Sequence, residues 1–194
     1  MLSLKDFTRT KFSQTKNLVS TQNFRNLVTK INTPAFDVSL GLGLATASSW
    51  IALVTAGGFN DQRVTATMRY VSPTAQGSEN FGVILRVQCV ETGDTANTDY
   101  YYARCQTGNA RITRVVGNTF TNLTSSAFVL PQNTDVTITF SVQGSALSAT
   151  FDAGGSPATV SLSAVDTQIT GGGLMGFRTT SQTGYCSLYT AEEL

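Results

Sequence analysis

A chain of 194 residues, 41% hydrophobic and 13% charged, carries enough apolar side chains for one full core, and their spacing is too regular for disorder. Its formal net charge is +1 and it contains no His, which excludes a His general base and a Ser/His/Asp triad. No stretch approaches the ~20 apolar residues of a membrane helix, and no apolar run of ~7–15 residues follows Met1, so neither a membrane span nor a signal peptide is expected.

The charge is unevenly placed. Residues 1–36 hold Lys5, Arg9, Lys11, Lys16, Arg25 and Lys30 against Asp6, six cations and one acid for a net of +5. Residues 37–194 hold seven Arg and eleven acids, a net of −4, and no Lys. This divides the chain into a basic N-terminal arm, 1–36, and a body, 37–194. In the arm, Leu18, Phe24, Leu27, Val28 and Ile31 fall near helical spacing, so 15–31 is expected to be extended or to form a turn or two of amphipathic helix before Thr33-Pro34 ends it. The arm is too polar to form its own core. Lys5, Arg9, Lys11, Lys16, Phe24, Arg25 and Lys30 are its candidate docking residues. A protein surface suits them better than nucleic acid, because six cations over 36 residues are thin cover for phosphates.

The body reads as strands in series. Residues 49–54 form the first clear one and include the single Trp, Trp50. Three runs follow, 62–71, 80–90 and 99–105, rich in β-branched and aromatic residues and separated by polar loops, the pattern of adjacent antiparallel strands. In the first, Val64, Ala66, Met68 and Tyr70 share one face, and Thr65, Thr67 and Arg69 the other. In the second, Phe81, Val83, Leu85, Val87 and Cys89 form the apolar face. Further strands are predicted at 110–116, at 119–130 as one or two pieces, at 159–165, 174–179 and 185–190. Residues 135–142 and 146–151 form the clearest hairpin, with Gln143-Gly144-Ser145 at its tip. The three Cys, at 89, 105 and 186, are an odd number inside predicted strands and read as buried thiols, with a Cys89–Cys105 bridge as the alternative.

The order of these elements resembles the concanavalin A-like jelly-roll sandwiches, in their laminin-G-like and sugar-associated branches. The residues that carry the resemblance are 64–68, Phe81-Gly82-Val83-Ile84-Leu85-Arg86, Tyr101-Tyr102-Ala103-Arg104, 136–144 and 172–178. It covers roughly residues 45–190 and implies an all-β fold of two antiparallel sheets, one concave, with an extended N-terminal arm. It also implies ligands, often glycans, on the concave face or the edge loops. The fold alone does not choose a function, since it hosts lectins, glycanases, adhesion modules and virion proteins.

The candidate sites follow from residue chemistry. Glycoside hydrolysis uses two carboxylates flanking the cleaved bond, and the interiors of the strands at 62–71, 81–90, 110–116, 136–142 and 174–179 hold no Asp or Glu. No enzymatic activity is therefore expected. Glu91, Asp94 and Asp99 gather in one loop that could offer oxygens to calcium, although their spacing is no EF-hand and a solvated acidic loop explains them as well. With no His and no Cys-x-x-Cys, no zinc site and no cofactor is expected. The alternation places Arg69, Arg86, Gln88, Tyr100, Tyr102, Arg104 and Arg178 on the concave sheet, where Arg forks and Tyr rings can grip hydroxyls or carboxylates.

Three functions compete. The first is a virion structural protein, a capsid decoration, cement or fibre-type component of a bacteriophage, made in the host cytoplasm. It would dock through its arm on other virion proteins or on copies of itself, as a dimer or trimer. The alternative is a lectin-like carbohydrate-binding module that uses the concave face. The third is a divergent glycanase.

Overall fold

The computed structural model describes residues 12–14, 28–31, 36–37, 43–45, 50–54, 59–70, 80–89, 98–106, 108–130, 133–179 and 184–194. They contain β1 Phe12–Gln14, β2 Val28–Ile31, β3 Phe36–Asp37, β4 Gly43–Ala45, β5 Trp50–Val54, β6 Gln62–Tyr70, β7 Asn80–Cys89 and β8 Thr98–Gln106. They continue with β9 Asn109–Val116, β10 Thr119–Ala127, β11 Asp135–Gln143, β12 Ala146–Asp152, β13 Val160–Val165, β14 Leu174–Thr179 and β15 Gly184–Glu193. No helix occurs among the described residues.

The strands form two antiparallel sheets. One runs β13-β12-β11-β6-β15-β4-β3, with β1 also paired to β15; the other runs β10-β9-β8-β7-β14-β5-β2. Chain neighbours pair where a short turn allows it. The two-residue turn Gly144-Ser145 joins β11 to β12, sets Gln143 opposite Ala146, and puts Gly144 at φ 55, the left-handed backbone that glycine takes without strain.

The sheets meet through one apolar layer. Val64, Ala66 and Met68 of β6 and Val136, Ile138, Phe140 and Val142 of β11 point inward from the first sheet. Phe81, Val83 and Leu85 of β7, Tyr101 of β8, Ile112 of β9 and Phe177 of β14 point inward from the second. Strict alternation produces this: in β11 and in β12 every second residue is buried. On the outer side of the first sheet, Thr65 and Thr67 bond across to Thr139 and Thr137 at 3.0 and 2.9 Å. Cys105 is a free thiol in the core, so it forms no bridge to Cys89.

One expectation about the strands is corrected. The runs 62–71 and 80–90 are not neighbours in one sheet: β6 and β7 lie in opposite sheets. A period of two says which residues share a face, and both apolar faces are satisfied by meeting across the core instead of side by side. Of the two alternatives for 15–31, Val28–Ile31 takes the extended one and pairs with β5 as a strand. Its β-branched Val28, Thr29 and Ile31 suit an extended backbone. Of the one or two strands expected over 119–130, residues 119–127 form one, with a register shift between Asn122 and Thr124.

Candidate functional site

The outward face of the second sheet holds an unusual set of side chains. Direct opposition along the ladders places Arg178 beside Gly82, Gly82 beside Arg104, and Arg104 beside Arg111. The next row reads Gly176, Ile84, Tyr102 and Thr113. Beyond it Tyr100 opposes Val115, which opposes Phe120 on the edge strand β10. Ile84, Val87, Tyr100, Tyr102 and Val115 close into a second apolar cluster, separate from the inter-sheet core.

Two arginines lie on this floor. Arg178 is 7% exposed and Arg104 6%. The Arg178 guanidinium stands 5.6 and 5.9 Å from the ring centres of Tyr100 and Tyr102, and 5.0 Å from that of Phe120. That of Arg104 stands 5.6 Å from Tyr102 and 5.3 Å from Phe120. These are cation–π distances, and an aromatic face is one of the few apolar surfaces that tolerates a guanidinium. Tyr100 and Tyr102 meet edge to face at 6.2 Å. Phe120, 40% exposed, carries the site to solvent. Thr113 Oγ1 accepts a bond from Arg104 Nε at 3.1 Å, and the Tyr102 hydroxyl donates to the Arg178 carbonyl at 3.1 Å.

Burial shapes the titration of the face. It pushes the Tyr102 phenol far above its ordinary range. It draws Arg178 down to about 10. Arg104 is lowered too, by burial first and then by the neighbouring Arg111.

Of the residues expected here, Tyr100, Tyr102, Arg104 and Arg178 do share the face. Arg69, Arg86 and Gln88 do not. Arg69 sits on β6 in the other sheet, where it forms an exposed fork with Asp135 at 2.6 and 2.9 Å. Arg86 lies at a bulge between Leu85 and Gln88, with φ 50, and its guanidinium is spent on main-chain oxygens: Asn60 at 2.9 and 2.8 Å and Ile169 at 3.1 Å. Gln88 donates to the Thr170 carbonyl at 2.6 Å. Both tie rim loops together and leave the face.

Arg111, Thr113 and Phe120 escaped the sequence reading. The pairing of Gln106 with Asn109 around the tight turn sets Arg111 opposite Arg104, so the turn was the signal. In the arm, Lys5, Arg9, Lys11, Lys16, Phe24 and Arg25 lie outside the described residues, and Lys30 pairs with Ala52 on β2. In the acidic loop, Glu91 and Asp94 lie outside them as well. Asp99 accepts the Gly117 N–H at 2.9 Å. Among the described residues no group of three or more His, Cys, Asp or Glu could hold a metal ion.

No protein-family model matches the chain, and no curated protein matches it in sequence. Solved structures do match in fold. Lectin II from Ulex europaeus has a TM-score of 0.71 at 9% identity, over 96% of this chain and 100% of that one. The carbohydrate-binding module CBM66 from Bacillus subtilis has a TM-score of 0.67 at 14% identity, over 86% and 96%. A Bacillus subtilis protein of unknown function with a galectin-like fold has a TM-score of 0.64 at 7% identity, over 95% and 98%. The chain therefore has the two-sheet jelly-roll fold of lectin-like, concanavalin A-like domains.

Proposed function

We propose that the chain is a non-catalytic carbohydrate-binding domain that holds a sugar on the outward face of its second sheet. The observation that carries this reading is Phe120: a ring 40% exposed, within 5.0 and 5.3 Å of two guanidiniums. Sugar recognition asks for an aromatic surface for the ring carbons and for fork-shaped donors to the oxygens, and Phe120 with Arg104 and Arg178 provides both. The fold supports it, since several solved structures that share it are named as lectins or as a carbohydrate-binding module. Among the described residues the rows around Tyr102 hold no Asp or Glu, which favours binding without turnover.

The virion reading rests on the basic arm of residues 1–36, the unpaired thiols, the low-charge strands rich in Thr, Asn and Gly, and the lack of catalytic groups. No observation in the structure favours it over sugar binding.

A glycan array probed with the full chain and with Arg104→Ala and Phe120→Ala tests the proposal. The full chain should bind a defined subset of glycans, and each variant, folded by circular dichroism, should lose that signal. Binding unchanged in both variants moves the site elsewhere. No binding to any glycan ends the sugar reading.

A further inference from the structure

The row Arg178, Gly82, Arg104, Arg111 sets three arginines on one face, Arg104 and Arg111 as cross-strand neighbours and Arg178 one strand further, across Gly82. Arg104 and Arg111 are directly opposed, an arrangement of like charges that weakens a sheet. Burying a charge is unfavourable unless it is paired. Yet among the described residues neither Arg178 nor Arg111 has an ion-pair partner. The Nε atoms of both are buried with no hydrogen-bond acceptor. Other arginines of the chain show what a satisfied one looks like: Arg114 meets Asp166 at 2.7 Å, Arg69 meets Asp135, and Arg86 has its three carbonyl bonds. Among the described residues, acids pair with Arg114 and Arg69, and none pairs with Arg178 or Arg111.

A second group on the face is also unmatched. Gln106, two residues along β8 from Arg104, holds a buried Oε1 with no donor. Unmatched donors and an unmatched acceptor on one sheet face suit a ligand that both accepts and donates. An inorganic anion such as sulfate has no proton to give at neutral pH. A sugar acid has an oxyanion for the arginines and hydroxyls for Gln106, and its ring carbons can lie on Phe120.

We propose that the Arg178–Arg104–Arg111 row selects an acidic sugar, holding its carboxylate or sulfate ester by paired N–H donors while the ring rests on Phe120. This inference rests on the sugar-binding reading and adds the charge of the ligand to it. Planar guanidinium forks match both oxyanions, and their bonds to an oxyanion are charge-assisted and short. The depressed proton affinity of Arg178, brought down to about 10 by burial, fits a cation held without a counter-charge until the ligand arrives.

Calorimetric titration of the full chain separates the outcomes. The probes are oligogalacturonate, its full methyl ester, a heparin oligosaccharide and its desulfated, N-acetylated, carboxyl-reduced form. At least one acidic member should bind at least ~10-fold more tightly than its neutral counterpart and weaken as salt is raised. A preference confined to oligogalacturonate assigns a carboxylate, and one confined to heparin assigns a sulfate group when a desulfated, N-acetylated heparin oligosaccharide that keeps its carboxylates has lost it. Arg178→Met and Arg111→Gln should each abolish the preference, while Arg178→Lys keeps part of it. Arg178→Met should leave the unliganded Tm unchanged or raise it, since it removes a buried charge. Equal affinity for acidic and neutral partners overturns the inference and leaves sugar binding standing. A preference that survives both Arg178→Met and Arg111→Gln overturns it as well. So does a lowered Tm in Arg178→Met with the preference intact, which makes the guanidinium a structural element. No binding to these probes overturns the inference, and the glycan array then decides whether sugar binding falls with it.

Discussion

Gln62 and Arg86 hold the two sheets together at one end of the sandwich. The Gln62 Oε1 accepts the Arg86 backbone N–H at 2.8 Å, and its Nε2 donates to the carbonyls of Gly173 at 2.6 Å and Phe59 at 2.9 Å. The need for this arises in β7. Its bulge puts Arg86 at φ 50, a conformation costly for a residue with a Cβ, and a side chain meets an N–H that would otherwise be stranded.

Gln62→Leu keeps the volume and removes the polar end. The Arg86 N–H then lies buried with no acceptor, which costs ~1–3 kcal/mol. Urea unfolding should show a lower midpoint with an unchanged slope, while glycan binding is preserved. An unchanged midpoint would mean that water replaces the amide, and the clamp would carry no stability.

Gly82 stands between Arg178 and Arg104, where β8 leaves no room for a Cβ on β7. A Cβ there would run into the Ala103 carbonyl oxygen and lie 2.7 Å from the Arg104 Cα, both main-chain atoms that cannot swing aside. Gly82→Ala should therefore force the strands apart, costing ~3 kcal/mol or more, and displace Arg104 so that ligand affinity falls with it. Gly144→Ala is the control. There a Cβ meets nothing within 4 Å, and only the left-handed backbone, φ 55, is penalised, at ~1–2 kcal/mol. Equal losses of stability in the two variants would remove the argument from close approach.

Much of this was legible in the sequence, and the failures have physical causes. Strand ends were legible because turn residues mark them, as Gly144 does for the β11–β12 hairpin. Tyr100, Tyr102 and Arg104 were placed on one face because β8 has no bulge between them and its register with β9 is unbroken. It fails in β7, where the bulge changes parity after Leu85, so Arg86 and Gln88 were misassigned although the run looks regular. Arg69 was misassigned for a different reason. Period fixes the face within a strand but not the sheet that receives the strand, and β6 crosses to the far sheet. Phe120 was passed over although the turn at Gly117-Asn118 sets it directly opposite Val115, ahead of the register shift between Asn122 and Thr124.

Phe120 should matter far more for binding than for stability. Its ring is 40% exposed and belongs to neither apolar cluster, so Phe120→Ala should change unfolding free energy by less than ~1 kcal/mol. Losing one stacked aromatic surface should weaken glycan affinity by about 10-fold, equivalent to ~1.4 kcal/mol. Phe151, fully buried, is the counterpart: Phe151→Ala should cost ~3–5 kcal/mol. A Phe120 variant that unfolds as readily as the Phe151 variant would make the ring a structural element.

Alkali should unfold the chain through its buried phenols. Burial above all, with Asp166 accepting the Tyr101 hydroxyl at 2.8 Å, pushes Tyr101 up to about 12. Burial raises Tyr102 further and raises the Cys105 thiol. In the unfolded chain phenols release their protons near ~10 and a thiol near ~8.5, so above those values the folded state holds protons that the unfolded state has lost. Stability then falls as pH rises: the contribution of these groups is complete below ~8.5, and the Tyr101 part is lost between ~10 and about 12. Arg178 acts in the opposite sense. Its folded proton affinity is reduced to about 10 against an ordinary 12.5, so the folded state releases that proton first and gains stability across that interval. Arg104, lowered by burial as well, acts with Arg178; three groups oppose two, and urea midpoints should decline from about pH 9 and steepen above 10. Tyr101→Phe should flatten the decline and Arg178→Met should steepen it. A midpoint constant from pH 8 to 11 would contradict the burial of protonated Tyr101 and Tyr102.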